Sequence, residues 1–152
     1  MKLLKKRIIG LDYGQARIGI AITDATQKIA MPYKTLQTEK RLELTVTSLL
    51  EELKKHQQEF NYTIDKIILG YPLLLTGKSG LLADEVKIFA EHLKAQIDTE
   101  IILWDERLTS KQAERSLREG SLNRKQRSKL VDSVAAVLLL QSYLDALDTN
   151  TL

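Results

Sequence analysis

The sequence predicts an α/β protein built on a mixed sheet with helices on both faces. Three observations predict it. Short apolar runs rich in branched residues come first, as a meander. Similar runs then alternate with stretches of helical periodicity, and two further helix signals close the chain. The order β-β-β-α-β-α-β-α-α starts antiparallel and continues through crossover helices, which places helices on the two sides of one sheet.

Arg7–Tyr13, closed by Gly14, predicts a strand, and Arg17–Thr23 predicts a second, so Gly14–Ala16 is a tight hairpin turn. Lys28–Leu36 predicts a third strand, which Pro32 confines to an edge or a bulge. Glu39–Phe60 predicts a helix: Leu42, Val46, Leu49, Leu50 and Leu53 fall at helical spacing with charges between them. Asp65–Leu69 predicts a buried strand ending at Gly70-Tyr71-Pro72. Leu82, Val86, Phe89, Leu93 and Ile97 step by 4, 3, 4 and 4, the pattern of an amphipathic helix. Glu100–Trp104 predicts another buried strand, ending at Asp105-Glu106. Thr109-Ser-Lys-Gln112 is a capping box, with Gly120 as the helix stop. Asn123-Arg-Lys-Gln126 is a second N-cap signal, opening a helix to about Leu147. With no linker or repeat, residues 1–147 read as a single domain and 148–152 as a frayed tail.

The chain has 152 residues, of which 43% are apolar, and no cysteine. Disulfides, Cys-ligated zinc and iron–sulfur sites are excluded. The longest apolar run, Val134–Leu140, is seven residues, against about 20 needed to cross a bilayer. Gly10 and Asp12 break the N-terminal apolar stretch, so it does not read as a signal peptide. The expectation is a soluble cytoplasmic protein with one core and no membrane partner.

The net charge of +3 says less than its distribution. Residues 84–106 hold seven acids and two bases, and residues 107–129 hold eight bases and two acids. The sign flips between Glu106 and Arg107, and the basic segment reads either as a solvated surface or as a footprint for a polyanion.

Three acidic positions run against their local pattern. Asp12 lies in an apolar strand on the face of Ile8 and Gly10, where a carboxylate is costly unless it forms a turn, finds a partner or binds a metal. Asp105 and Glu106 end a hydrophobic strand. Adjacent strand residues point to opposite faces, so at most one of them shares a side with Asp12, and either also suits the cap of a following helix. Asp132 shares a helix stripe with Ala136, Leu139 and Tyr143 and needs an arginine or a cation as partner. Carboxylates from two strands and one helix that converged at one end of the sheet would repel, and a divalent cation would resolve the conflict. Mg²⁺ or Mn²⁺ suits an all-oxygen site, and two such ions roughly 4 Å apart can clamp the attacking and leaving oxygens of a phosphodiester.

The block Ile9-Gly-Leu-Asp12-Tyr-Gly14-Gln-Ala-Arg17-Ile-Gly19-Ile-Ala21-Ile-Thr-Asp24 resembles the opening motif of the YqgF/RuvX family, whose members are described as pre-16S rRNA nucleases or Holliday-junction-resolvase-like proteins. The resemblance continues at Ile68-Leu-Gly70-Tyr-Pro72-Leu, at Asp105-Glu106-Arg107-Leu-Thr109-Ser and at Val131-Asp132-Ser-Val-Ala135-Ala136, in the family's order and over nearly the whole chain. It implies an RNase H-like fold and a metal-dependent nuclease whose acids correspond to Asp12, Glu106 and Asp132, with Glu106 preferred over Asp105 by the motif. It implies that Mg²⁺ or Mn²⁺, as two ions, serves phosphodiester cleavage, and that Arg17, Arg107, Arg124, Lys125, Arg127 and Lys129 approach phosphates. The substrate implied is structured RNA, a pre-16S rRNA 5′ end, or else branched DNA, cut by a monomer or a homodimer. One departure stands out: after Pro72-Leu73 the family usually continues Asn-Met-Asp-Gly, and here the chain reads Leu74-Leu75-Thr76-Gly77.

Two other functions compete. A non-catalytic nucleic-acid-binding module needs only the basic surface. An ATP-binding phosphotransferase is raised because Asp12-Tyr-Gly14 with Gly19 also resembles the first phosphate hairpin of the actin/sugar-kinase fold, a resemblance that implies two such domains to enclose a nucleotide. Gly77-Lys78-Ser79 resembles the end of a P-loop, yet Pro72 stands where the first glycine belongs. His56 and His92 read as surface or helix-end residues, and Trp104 and Phe89 as core.

Overall fold

Ile8, Ile9 and Leu11 are consecutive or near-consecutive and all fully buried, so the strand that carries them is covered on both faces. That strand, β1 (Lys5–Tyr13), is the centre of a five-stranded sheet in which β2 (Arg17–Thr23), β3 (Ala30–Gln37), β4 (Tyr62–Tyr71) and β5 (Glu100–Asp105) take the order β3-β2-β1-β4-β5. β1, β2 and β3 are antiparallel neighbours, and β1, β4 and β5 are parallel ones. The computed structural model describes residues 4–72, 80–105 and 124–150, the last with side chains for 134–147. The expected helix over 109–120 lies outside the described residues, as do Glu106, Arg107, Leu74 and Thr76.

Alternation along the strands divides the core. Ile9, Leu11, Ile67 and Leu69 meet α1 (Leu42–Phe60) and α2 (Leu81–Gln96) through Leu49, Leu53, Phe89 and Leu93. Ile8, Ala21, Ala30 and Ile68 meet α3 (Arg124–Asn150) through Ala136, Leu140, Tyr143 and Leu144. The mixed sheet with helices on both faces is therefore as the sequence predicts. Among the described residues no helix is long and apolar enough to cross a membrane.

The turns follow from their residues. Gly14 donates its N–H to Arg17 O at 2.9 Å, and a Cβ at Gly14 would stand 2.9 Å from that same oxygen, so only glycine closes this hairpin. Pro32 lies on the edge strand β3, where the register with β2 shifts between Ile20 and Ala21. Asn61 takes the left-handed conformation (φ 52°), and its N–H closes α1 on Gln57 O, turning the chain into β4 in one residue.

Two helix boundaries differ from expectation. α1 starts at Leu42 and not at Glu39, because Thr38 N–H is held by Ala16 O at 3.0 Å and Glu39 N–H by Thr45 Oγ1 at 2.8 Å. The last helix continues to Asn150 instead of ending near Leu147; Asp148-Thr-Asn150 contains neither the glycine nor the proline that would stop it.

Candidate active site

The three parallel strands end at one edge of the sheet. Asp12 is the penultimate residue of β1, Gly70-Tyr71 end β4, and Asp105 ends β5. The carboxyl ends of parallel strands are where open α/β sheets leave a crevice for ligands. Asp12 is half-buried and pairs with Gly19 of β2, a residue without a side chain. By alternation from Ile8 it lies on the α3 face. Arg17 lies two residues from Gly19, so it shares that face, and it is half-buried as well. The fold thus brings Asp12 and Arg17 to one face at one end of the sheet.

Asp105 lies on the other face. Its neighbour Trp104 packs on the α3 side of the core, and its register partner Tyr71 packs on the α1 and α2 side. Asp105 is exposed there. Glu106 and Arg107 fall outside the described residues. Asp132, Arg124, Lys125, Arg127 and Lys129 are described by their place in α3 alone. Among the described residues no three metal-ligand side chains come together.

The direction of α3 is set by its second half. Gln141 Oε1 accepts the N–H of Ala30 at 2.9 Å, and Gln141 Nε2 donates to Lys28 O at 3.3 Å, which pins this turn to the start of β3. Lys66 Nζ reaches the Tyr143 hydroxyl at 3.4 Å, on the first half of β4. Trp104 meets Tyr143 edge-on, with ring centroids 5.2 Å apart, and donates its Nε1–H to Ser142 Oγ at 3.2 Å. One turn earlier the helix crosses Gly10, where Leu140 and Ala136 make the contact. Followed backward from Gln141, α3 therefore runs toward the edge at which β1 ends. Gln141 and Ser142 are the residues that sequence reasoning missed; their signal was two polar side chains directly after the apolar run Val134–Leu140.

On the opposite face the hairpin turn is tied to α2. Tyr13 lies against Phe89 with centroids 4.9 Å apart, and Gln15 Nε2 donates to Glu85 Oε1 at 3.4 Å. Burial, assisted by Glu85, pushes the Tyr13 phenol above its ordinary value, so it stays protonated. Asp24, the last residue of the opening motif, sits at the far end of β2 from Asp12. Its carboxylate accepts the Thr26 hydroxyl and the N–H groups of Lys28 and Ile29, both at 2.9 Å. The Thr26 hydroxyl first, then the backbone donors, hold it well below the usual carboxylate range. It organises its own loop.

His56, expected at the surface or at a helix end, lies near the C-terminal end of α1. It is half-buried between Tyr33 and Phe60, with centroids 4.2 and 4.5 Å away. Trp104 and Phe89 pack against the core as expected.

The comparisons agree with this architecture. A "Putative pre-16S rRNA nuclease" from Protochlamydia amoebophila is 51% identical over 92% of this chain and 93% of its own. In structure, RuvC of T. thermophilus in complex with a Holliday junction substrate superposes with a TM-score of 0.55, covering 95% of this chain and 97% of that one at 12% identity. A Fowlpox virus resolvase in complex with Holliday junction DNA also gives 0.55, covering 93% and 98% at 19% identity. These likenesses establish the RNase H-like fold. The family profile described as "RuvX: Holliday junction resolvase" matches residues 6–146, and with a relative this similar along nearly the whole length, the chain belongs to the RuvX family.

Proposed function

We propose that the chain is a divalent-metal-dependent nuclease that cuts structured RNA, trimming the 5′ end of pre-16S rRNA in the cytoplasm. Its nuclease character follows from the family it belongs to. The observation that carries the proposal is the placement of Asp12 and Arg17 on one face of the sheet, at the strand ends where open α/β sheets leave a ligand crevice.

The donor set fits a hard cation, being carboxylate oxygen throughout. Asp12, Glu106 and Asp132 would hold Mg²⁺ or Mn²⁺, as one or two ions. Glu106 is favoured over Asp105 by the family motif, and Asp105 itself occupies the face away from Asp12. Asp132 is favoured because it stands one helical turn before Ala136, on a helix that heads for the end of β1. When bound, the ions supply Lewis-acid polarisation of the scissile phosphodiester. The chain's own part is to hold that phosphate in place: Arg17 beside Asp12, and Arg107, Arg124, Lys125, Arg127 and Lys129 along the flanking backbone. The Leu74 and Thr76 departure replaces the family's amide with an apolar side chain and its carboxylate with a hydroxyl, and leaves the three acidic positions themselves intact.

Branched DNA is the second reading, favoured by the family's description and by the resolvases that share the fold. A cleavage assay separates the readings. Labelled pre-16S RNA and a four-way DNA junction are incubated with Mn²⁺, Mg²⁺ or EDTA, using the native protein and Asp12→Asn. Metal-dependent cutting of the RNA, abolished by the substitution, is the expected result. Preferential cutting of the junction moves the substrate to DNA. Binding without metal-dependent cutting overturns the nuclease reading in favour of a binding module.

A further inference from the structure

At Gly10, α3 lies directly against the sheet. A Cβ built there would stand 2.9 Å from Leu140 Cβ, 3.3 Å from Ala136 O and 3.4 Å from Leu140 Cδ2. The first two of these atoms are fixed to the helix backbone, so the helix itself, and not a side-chain tip, would have to give way. The other small residues on this face, Ala21 and Ala30, also lie in the core under α3. The absence of a side chain at Gly10 therefore sets the height of the helix above β1.

We propose that Gly10 is a positioning residue for the metal site, and that its missing Cβ sets the separation between Asp12 on β1 and Asp132 on α3. This rests on reading those two acids as metal ligands. Asp12 is two residues beyond Gly10 on the same strand face, about 6.6 Å along the strand. Position 132 is four residues before Ala136, about 6.0 Å along the helix. Strand and helix thus advance by nearly equal steps from a shared contact, toward the same edge. Packed carbons settle at about 3.5–4.0 Å, so a Cβ at 2.9 Å drives α3 outward by about 0.6–1 Å. Mg²⁺ requires ligands at about 2.0–2.1 Å in near-ideal geometry, and such constellations tolerate about 0.5 Å of displacement. The retreat exceeds that tolerance while leaving a packed interface behind.

The test uses Mn²⁺ itself as the probe, with free ion read by electron paramagnetic resonance and folding read by thermal melting. Gly10→Ala is expected to bind Mn²⁺ at least about tenfold more weakly. Leu140→Ala, which empties part of the same contact without adding an atom between helix and strand, is expected to melt lower yet bind Mn²⁺ as the native protein does. Gly10→Ala with Leu140→Gly moves the clashing carbon off the helix and is expected to regain affinity, though not stability. That pair also decides the matter if Gly10→Ala alone does not fold, since weak binding by the pair overturns the proposal. Native Mn²⁺ affinity in Gly10→Ala, or an equal loss in Leu140→Ala, overturns it too. Asp12→Asn distinguishes the two levels. If it leaves Mn²⁺ binding unchanged, the metal-site reading fails first; if it abolishes binding while Gly10→Ala binds normally, only the positioning role fails.

Discussion

The hydroxyl of Thr23 accepts the backbone N–H of Ile8 at 3.0 Å, beside the point where β1 slips register against β4 between Arg7 and Ile8. Both residues are buried, and Thr23 also offers its carbonyl to Arg7 Nη1 at 3.0 Å. Thr23→Val keeps the shape and strands a buried donor. It is expected to lower unfolding free energy by about 1–3 kcal/mol, with Thr23→Ser costing less, both measured by urea denaturation. An unchanged midpoint in Thr23→Val would show that this bond contributes nothing.

Trp104 and Ser142 anchor α3 to β5 through one hydrogen bond at 3.2 Å. Trp104→Phe keeps an aromatic ring against Tyr143 and loses the donor; Ser142→Ala loses the acceptor. The bond's own share of either change is expected to be about 1 kcal/mol. The double variant is expected to cost less than the sum of the singles. Strict additivity in that cycle would mean that the two groups do not interact in solution.

His56 makes stability depend on pH. Burial lowers the imidazole from its ordinary 6.5, Arg7 adds to that, and Glu59 and Glu52 oppose it. Burial pushes the Tyr62 phenol up to about 12, so it keeps its proton, and its hydroxyl shares a hydrogen bond of 2.8 Å with His56 Nδ1. The folded chain therefore binds the His56 proton less readily than the unfolded chain. The stabilisation is complete above 6.5 and is lost as pH falls through that value toward the lower folded one. Urea midpoints at about pH 7.5 and about pH 5 are expected to differ more for the native protein than for His56→Gln. An equal drop in both would clear His56 of the effect.

Arg17 is expected to contact one backbone phosphate. In an Asp12→Asn background, which prevents cleavage, Arg17→Gln is expected to weaken RNA binding across sequences. The slope of log Kobs against log salt should fall by about one. A full native slope would place Arg17 away from the substrate.

Much of this was legible in the sequence, and the exceptions have physical reasons. Arg17–Thr23 is a strand with the bounds that its apolar pattern predicts, because its ends are set by local turn chemistry at Gly14 and Asp24. Pro32 marked the edge strand because a missing N–H is tolerated there. The start of α1 was misplaced because Thr38 and Glu39 are held by Ala16 and Thr45, and no helical periodicity reports such bonds. The same limit applies to Asp105: alternation within its own strand could not say which face it took until Trp104 and Tyr71 were seen on their respective sides. Gly10 read as part of a motif. Its closeness to Leu140 joins residues 130 positions apart, which only the packed helix discloses.

Pro32 has a consequence for how these chains behave in a crowd. β3 is an outer strand of the sheet, and an outer strand with a continuous row of donors is a template on which another chain can add itself. Here the row is broken at Pro32, the strand is kinked by its register shift, and Lys34 stands exposed beside the break. This rim of the sheet is thereby guarded against edge-to-edge aggregation, which matters most while many copies fold at once.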